Sequence, residues 1–218
     1  MTEKLKIRDC LKVYFIAGTL NCEKPLKEVL KEALTAGITM FQFREKGKGS
    51  LQGAAKEKLA AELFEMCKEN GVPFIVNDDL ELAVKIGADG LHIGQEDAAA
   101  ITAKNEMKNK WLGVSVHTVE EAKKAIEDGA DYLGIGPIFP TDSKDDAKAV
   151  QGTSLIENLR KIGISFPIVG IGGINEHNAG TVIEAGADGV SVISAISKAP
   201  DIRQSVKQLK REILNNKG

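Results

Sequence analysis

The chain has 218 residues, a length that fits one domain or one compact α/β barrel. Its 29 basic and 31 acidic residues give a net charge of −2, which argues against a general nucleic-acid binder. The chain has three cysteines, Cys10, Cys22 and Cys67, without the spacing of metal ligands, and this odd number indicates no disulfide framework. With no signal-type apolar run and no stretch of about 20 apolar residues, we expect a cytoplasmic protein without a membrane partner.

Eight short apolar segments recur at fairly even intervals along the chain. Most are rich in Val, Ile and Phe without strict polar alternation, which predicts strands buried on both faces of a parallel sheet. Between them, positions such as Leu59, Leu63 and Cys67 predict amphipathic helices. The predicted strands are Lys12–Gly18, Ile38–Arg44, Pro73–Asn77, Gly90–Ile93, Trp111–Val116, Tyr132–Gly136, Pro167–Ile171 and Gly189–Ile193.

The tripeptide Gly-Ala-Asp occurs three times, at Gly87–Asp89, Gly129–Asp131 and Gly186–Asp188, each between a predicted helix and a predicted strand. Gly37 occupies the same place before the second strand, without the Ala-Asp. Such repetition indicates a βα unit used many times. We therefore predict an α/β fold, a single-domain (β/α)8 TIM barrel over residues 1–218, with an open doubly wound sheet as the alternative.

In such a barrel the chemistry lies at the C-terminal ends of the strands. Gln42, Arg44 and Lys46 end the second strand, and alternation places them on one side, with Phe43 and Glu45 opposite. A guanidinium and an ammonium that converge suit a phosphate or a diphosphate. A solvated charge cluster is the alternative for this segment.

Acidic residues follow the next two strands. Asp78 and Asp79 come after the third strand and Asp97 after the fourth. Because neighbouring strands lie about 4.8 Å apart, two such carboxylates can share one cation. This predicts a Mg²⁺ site at Asp78 and Asp97. The alternative is that Asp79 or Asp97 caps the helix that follows, a role that fits Asp79. His92 is expected to be a packed, hydrogen-bonded histidine.

A second anion site is predicted across the barrel. Gly172 and Gly173 follow the seventh strand and Ser194 follows the eighth, where barrels of this type commonly bind phosphate. A long polar loop, Gly136–Lys144, comes after the sixth strand and suits a lid. A protein that bound one small phosphate would not need both sites.

Taken together, these segments resemble the thiamine-phosphate synthase family, also called thiamine-phosphate pyrophosphorylases. The family usually has threonine where Ser143 stands, so this chain keeps the hydroxyl and lacks the methyl group. The matching runs are Gln42–Lys46, Val76–Asp79, His92–Asp97, Gly113–Thr118, Gly134–Lys144, Gly170–Gly173 and Val190–Ile196.

The resemblance implies an enzyme that joins 4-amino-5-hydroxymethyl-2-methylpyrimidine diphosphate to hydroxyethylthiazole phosphate, forming thiamine phosphate and pyrophosphate. It implies Mg²⁺ at Asp78 and Asp97, and catalytic roles for Arg44, Lys46 and Lys144. The pyrimidine diphosphate would contact Gln42, Phe43, Arg44, Glu45, Lys46, Asn77, Ser115 and Lys144. The thiazole phosphate would contact Thr141, Asp142, Ser143, Gly173, Ile193 and Ser194.

Two alternatives remain open from the sequence. A thiazole tautomerase of the related barrel family would have little use for the Gln42–Lys46 segment together with Asp78 and Asp97. The second alternative is a non-catalytic phosphate-binding barrel, whose affinity for phosphate ligands would not depend on Mg²⁺.

Overall fold

The computed structural model describes residues 3–94, 100–141 and 149–216. Within them, eight parallel strands pair in sequence order, and the eighth returns to pair with the first, so the sheet is a closed barrel. This confirms the (β/α)8 barrel and excludes the open sheet. The strands are β1 (Val13–Ala17), β2 (Met40–Phe43), β3 (Phe74–Asn77), β4 (Gly90–Ile93), β5 (Trp111–Val116), β6 (Tyr132–Ile135), β7 (Ile168–Ile171) and β8 (Gly189–Val192).

Helices connect the strands and surround the barrel. In α3, Leu63 and Cys67 of the predicted apolar face are buried. No helix in the described part of the chain is both long and apolar enough to span a membrane. The helices are α1 (Glu3–Cys10), α2 (Leu26–Ala36), α3 (Gly53–Glu69), α4 (Leu80–Ile86), α5 (Ala100–Glu106), α6 (Val119–Glu127), α7 (Ser154–Lys161), α8 (Ala179–Glu184), α9 (Ser194–Ser197) and α10 (Ile202–Asn215), and a 3₁₀ turn spans Thr19–Asn21.

Two apolar layers lie on the two faces of the sheet. The outer layer packs strand residues such as Phe43 and Phe74 against the helices. The inner layer fills the barrel, and Ile7 and Leu11, at the end of α1 and just beyond it, join its cluster with Tyr14. Helix α1 therefore contributes to the interior, and the strands are buried on both faces, as their apolar sequences predict.

Each Gly-Ala-Asp repeat ties the start of one strand to the start of the strand before it. The glycine has a positive φ (69°, 95° and 105°), which lets the chain turn out of the preceding helix. The alanine is buried. The aspartate accepts a backbone N–H from the neighbouring strand, as seen in Asp89 to Phe74 (3.0 Å), Asp131 to Leu112 (2.8 Å) and Asp188 to Ile168 (2.9 Å).

The same device is built from a different residue before β2. Gly37 has a φ of 93°, and two residues later the Thr39 hydroxyl oxygen accepts the Val13 N–H at 2.8 Å. A hydroxyl thus replaces the carboxylate of the other repeats. All four contacts lie where the strands begin, at the end of the barrel opposite the predicted chemistry.

Candidate active site

The end of β2 presents its side chains as strand alternation predicts. Gln42 is 1% exposed, and its Nε2 donates to the Tyr14 hydroxyl inside the barrel at 2.6 Å. Arg44, two residues later, is also buried, at 8% exposure. Phe43 faces the helix layer and packs its ring on Phe74, 6.3 Å between centroids. Only the backbone of Phe43, not its ring, is available to a ligand in the barrel mouth.

Glu45 holds two loops together. Its carboxylate accepts from the Thr19 hydroxyl (2.5 Å) and backbone N–H (2.7 Å) and from the Leu51 N–H (2.8 Å). These bonds join the loop after β1 to the segment that leads into α3. Burial and the nearby Glu45 charge raise the pKa of Cys22 to about 11, so its thiol is protonated at neutral pH. Glu45 therefore positions the loops rather than presenting its carboxylate to a ligand.

Lys46 and Asp78 meet across the ends of β2 and β3. Lys46 Nζ lies 2.9 Å from Asp78 Oδ2. Asp78 has a φ of 62°, a left-handed conformation that is uncommon outside glycine and is concentrated at functional sites. Its backbone N–H is held by the carbonyl of His92 at 2.9 Å. Asn77, just before it, is half-buried.

Asp79 is the cap of α4, as predicted. Its Oδ1 accepts the Leu82 N–H at 2.9 Å, and its Oδ2 accepts from Lys56 Nζ at 2.7 Å. Burial alone would raise the pKa of Asp79, but the Lys56 and Leu82 hydrogen bonds and the Lys56 charge outweigh it and lower that pKa below its ordinary value. Both oxygens of this carboxylate are thus used by the protein.

A hydrogen-bonded chain of five side chains crosses the barrel interior. From Gln42 it continues through Tyr14 to Tyr132, whose hydroxyls are 2.8 Å apart. Tyr132 lies 3.1 Å from His92 Nδ1, and His92 Nε2 lies 2.9 Å from the Ser115 hydroxyl. Burial is the main cause that raises the pKa of both tyrosines, so each phenol keeps its proton. His92 is packed and hydrogen-bonded, as expected.

The opposite side of the mouth is formed after β7 and β8. Gly172 and Gly173 have φ values of 98° and 63°. The loop after β6 lies against them, because the Phe139 N–H donates to the Gly172 carbonyl at 3.0 Å. A side chain at residue 173 would meet this loop, so the close approach requires glycine. Ile193 is buried, Ser194 is exposed and Thr141 is half-buried.

Four of the predicted site residues, Asp97, Asp142, Ser143 and Lys144, lie outside the described residues. Of the predicted metal pair, the structure therefore places Asp78. Within residues 3–94, 100–141 and 149–216, no three His, Cys, Asp or Glu side chains form a metal-binding group.

Comparison with known proteins gives the family. The model of a family described as thiamine monophosphate synthase matches residues 13–196, which is most of the chain and all eight strands. The chain belongs to this family.

Relatives support the assignment over nearly the full length. A thiamine-phosphate synthase of Bacillus cereus (strain ATCC 10987 / NRS 248) is 57% identical over 210 residues, covering 96% of this chain and 94% of the relative. One from Geobacillus kaustophilus (strain HTA426) is 57% identical over 204 residues, covering 94% and 92%. A solved thiamine phosphate pyrophosphorylase from Pyrococcus furiosus is 34% identical with a TM-score of 0.85, covering 97% of this chain and 100% of that one.

In this member of the thiamine monophosphate synthase family, the adjacent ends of β2 and β3 form one side of the barrel mouth. The predicted site residues there are Gln42, Arg44, Lys46, Asn77 and Asp78. Ser115 joins them through the hydrogen-bonded chain. Sequence reasoning missed the two tyrosines of that chain. A signal existed, since the protein has only two tyrosines and both fall within predicted strands.

Proposed function

We propose that the protein is a thiamine-phosphate synthase. It would condense 4-amino-5-hydroxymethyl-2-methylpyrimidine diphosphate with hydroxyethylthiazole phosphate, giving thiamine phosphate and pyrophosphate. The observation that carries this is the 2.9 Å contact between Asp78 and Lys46, which lies two residues after the buried Arg44 at the end of the same strand. Two cations and a carboxylate at one corner suit a diphosphate bound with a metal ion. Relatives with the thiamine-phosphate synthase name match 96% of the chain.

The pyrimidine diphosphate would bind at the ends of β2, β3 and β5. Gln42 Oε1 is buried and has no hydrogen-bond partner within the described part of the chain, so it suits the exocyclic amine of an aminopyrimidine. Asn77 and Ser115 would add polar contacts. Arg44 and Lys46 would hold the diphosphate oxygens, together with Lys144.

Asp78 fits Mg²⁺ as one hard oxygen ligand. Mg²⁺ commonly takes one or two protein carboxylates and completes its shell with substrate phosphates and water, so a larger protein ligand set is not required. We assign Asp78 and Asp97 to this role. When bound, Mg²⁺ would neutralise charge on the diphosphate as it departs.

The thiazole phosphate would bind across the mouth. The backbone of Gly173 has a φ of 63°, a left-handed conformation of the kind that turns backbone N–H groups toward an anion, so it would contact the phosphate. The Ser194 hydroxyl and the backbone at Ile193 would come from the end of β8. Thr141, Asp142 and Ser143 would come from the loop after β6.

The reaction then needs positioning and charge neutralisation more than a protein nucleophile. The thiazole nitrogen forms a bond to the pyrimidine methylene carbon, and the bond from that carbon to the diphosphate oxygen breaks. The electron-rich aminopyrimidine supports positive charge on the carbon, while Arg44, Lys46 and Lys144 stabilise the leaving diphosphate. We place this reaction in the cytoplasm, because Cys10, Cys22 and Cys67 form no disulfide and reduced cysteines are typical of that compartment.

The test is a synthesis assay with both substrates and Mg²⁺. Thiamine phosphate and pyrophosphate should form in equal amounts, and Lys46→Met should lose most of this activity. Lys48→Met, two residues along in the same exposed turn, is the matched control and should keep it. Absence of product where a known synthase is active would overturn the proposal. Formation of isomerised thiazole phosphate would indicate a tautomerase. Substrate binding that does not depend on Mg²⁺ and gives no product would indicate a non-catalytic phosphate-binding barrel.

A further inference from the structure

The five-residue hydrogen-bonded chain inside the barrel has a direction. Tyr14 and Tyr132 each carry one hydroxyl proton, and both side chains are fully buried, so we expect each proton to be used within the chain. Each tyrosine then donates to one neighbour and accepts from the other. A neutral His92 likewise has one protonated and one unprotonated ring nitrogen. Fixing the direction of one hydrogen bond therefore fixes the direction of the others.

Two arrangements satisfy all four contacts when His92 is neutral and both tyrosine protons are used within the chain. In the first, Gln42 donates to Tyr14, Tyr14 to Tyr132, Tyr132 to His92 Nδ1, and His92 Nε2–H to Ser115. In the second, every donor and acceptor is exchanged. The first leaves Gln42 with an acceptor oxygen and Ser115 with a proton to donate. The second leaves Gln42 with amide protons and Ser115 as an acceptor.

The surroundings of Gln42 favour the first arrangement. In the structure its Nε2 lies on Tyr14 at 2.6 Å and its Oε1 is the buried atom without a partner among the described residues. A buried carbonyl oxygen short of a partner costs less than a buried amide nitrogen with orphaned protons.

Two glycines leave space inside the barrel for the side chains of this hydrogen-bonded chain. A side chain at Gly113 would collide with the Tyr132 ring and hydroxyl and with His92 Nδ1. One at Gly134 would come within 3.0 Å of His92 Cε1 and 3.7 Å of the Ser115 hydroxyl oxygen. Two inward positions on neighbouring strands are thus glycine where the His92 and Tyr132 side chains cross the interior.

We propose that Tyr14, Tyr132 and His92 are positioning residues that hold Gln42 as an acceptor and Ser115 as a donor, and so select a pyrimidine with an amino group facing Gln42. The inference rests on the proposed function for the identity of that ligand. A 4-oxo pyrimidine would present an acceptor to Gln42. Accommodating it would require the amide to turn and the hydrogen bonds along the whole chain to reverse.

The direction of the chain can be read without any variant. A neutron crystal structure of the deuterium-exchanged protein should show deuterons on the Gln42 nitrogen that faces Tyr14 and on His92 Nε2, with none on Nδ1. In solution, ¹⁵N spectra of labelled histidine should show the same tautomer, and the protein has only three histidines to assign. A deuteron on Nδ1, with or without one on Nε2, would overturn the proposal.

The consequence for specificity is tested with Tyr14→Phe. Inhibition constants of 4-amino and 4-oxo hydroxymethylpyrimidine monophosphates are compared, because these compounds bind without releasing pyrophosphate. The wild type should favour the amino form, and Tyr14→Phe, which interrupts the chain, should reduce that preference at least about tenfold. An unchanged preference would contradict the positioning role.

Ile16→Val is the matched control. Ile16 lies on the same strand, is 2% exposed and belongs to the same inner cluster as Tyr14, but it makes no side-chain hydrogen bond. This variant should keep the preference for the amino form. A wild type that makes no thiamine phosphate but shows the expected deuterons would refute the proposed function while leaving the hydrogen-bond direction intact.

Discussion

Lys46 Nζ lies 2.9 Å from Asp78 Oδ2, so one contact joins the cation assigned to the diphosphate with the carboxylate assigned to Mg²⁺. The lysine side chain is 45% exposed and the aspartate side chain 22%. An ion pair this exposed contributes roughly 0–1 kcal/mol to stability. The contact therefore matters for where the two groups are held, and little for whether the barrel folds.

Asp78→Asn should separate these two roles. The neutral amide keeps the size of the side chain but loses the charge that Mg²⁺ requires, so the Mg²⁺ concentration for half-maximal activity should rise at least about tenfold. The free energy of unfolding should change by less than about 1 kcal/mol. A Mg²⁺ titration of initial rates, with urea unfolding in parallel, measures both quantities.

Asp128→Asn provides the control for this variant. Asp128 pairs with Lys124 at 2.8 Å, four residues apart, at the end of a helix outside the proposed site. Removing its charge should leave the Mg²⁺ dependence unchanged. Equal Mg²⁺ dependence in both variants would remove Asp78 from the metal site.

The architecture could be predicted because it depends on local patterns repeated along the chain. All eight predicted strands are present, each within two residues at either end. Apolar runs, helix periodicity and turn glycines are properties of short segments, and eight repetitions leave few topologies. Strand alternation likewise predicted that Gln42 and Arg44 face one way and Phe43 the other.

Side-chain pairing across the barrel could not be predicted in the same way. Tyr14 and Tyr132 are 118 residues apart in sequence, and only closure of the barrel brings their hydroxyls within 2.8 Å. Thr39 shows a second limit. Its hydroxyl accepts the N–H of the preceding strand, as the aspartate does in each Gly-Ala-Asp repeat, but the sequence around Thr39 does not resemble the repeat. The Glu45 carboxylate is used by Thr19 and Leu51, which strand alternation does not reveal.

Asp79 should make the stability of the protein depend on acidic pH. Its folded pKa is lowered, so its contribution is present above the ordinary value of 3.8 and is lost as the pH falls through the folded value. At pH 7, Asp79→Ala should cost about 1 kcal/mol, typical of a lost helix cap. Urea unfolding at a series of pH values should show this cost diminishing below about pH 4.

Lys56→Met separates the two contacts through which Asp79 stabilises the protein. The variant keeps the cap bond from Leu82 and removes the 2.7 Å contact between Lys56 and Asp79. Its loss at neutral pH should therefore be smaller than that of Asp79→Ala. A cost of Asp79→Ala that grows in acid would show that the pKa is raised in the folded state and would contradict the assignment.

Asp188 should be the most costly aspartate of the three repeats to remove. It is 8% exposed, accepts from the Ile168 N–H and the Arg160 guanidinium (3.1 Å), and is also paired with Arg8. Asp188→Ala leaves those cations without this partner and should cost about 3–5 kcal/mol. The urea midpoint should fall accordingly, with little change in kcat for the folded fraction.

Asp89→Ala is the comparison within the same repeat. Asp89 accepts the Phe74 N–H at 3.0 Å, and losing that bond should cost about 1–3 kcal/mol. Both residues lie where strands begin, away from the barrel mouth, so neither variant should change the KM for either substrate. Equal losses of stability in the two variants would show that the arginine contacts contribute little.

Gly173→Ala should selectively weaken the site assigned to the thiazole phosphate. An alanine Cβ would lie 2.7 Å from Phe139 Cβ in the loop after β6, so that loop must shift. Gly152→Ala is the matched control, with a nearly equal φ of 66° but open space around the added Cβ. Both variants should lose roughly 1 kcal/mol of stability to the left-handed backbone, and Gly173→Ala should lose more because the loop must also move.

Only Gly173→Ala should then raise the KM for hydroxyethylthiazole phosphate, at least about tenfold, because misplacing a binding loop by about 1 Å is costly. The KM for the pyrimidine diphosphate should rise less, since Lys144 is the one contact assigned to that substrate from the displaced loop and its other contacts are assigned to the ends of β2, β3 and β5. Initial rates with each substrate varied in turn distinguish the two effects. The same KM change in Gly152→Ala would attribute it to backbone strain and remove Gly173 from the phosphate site.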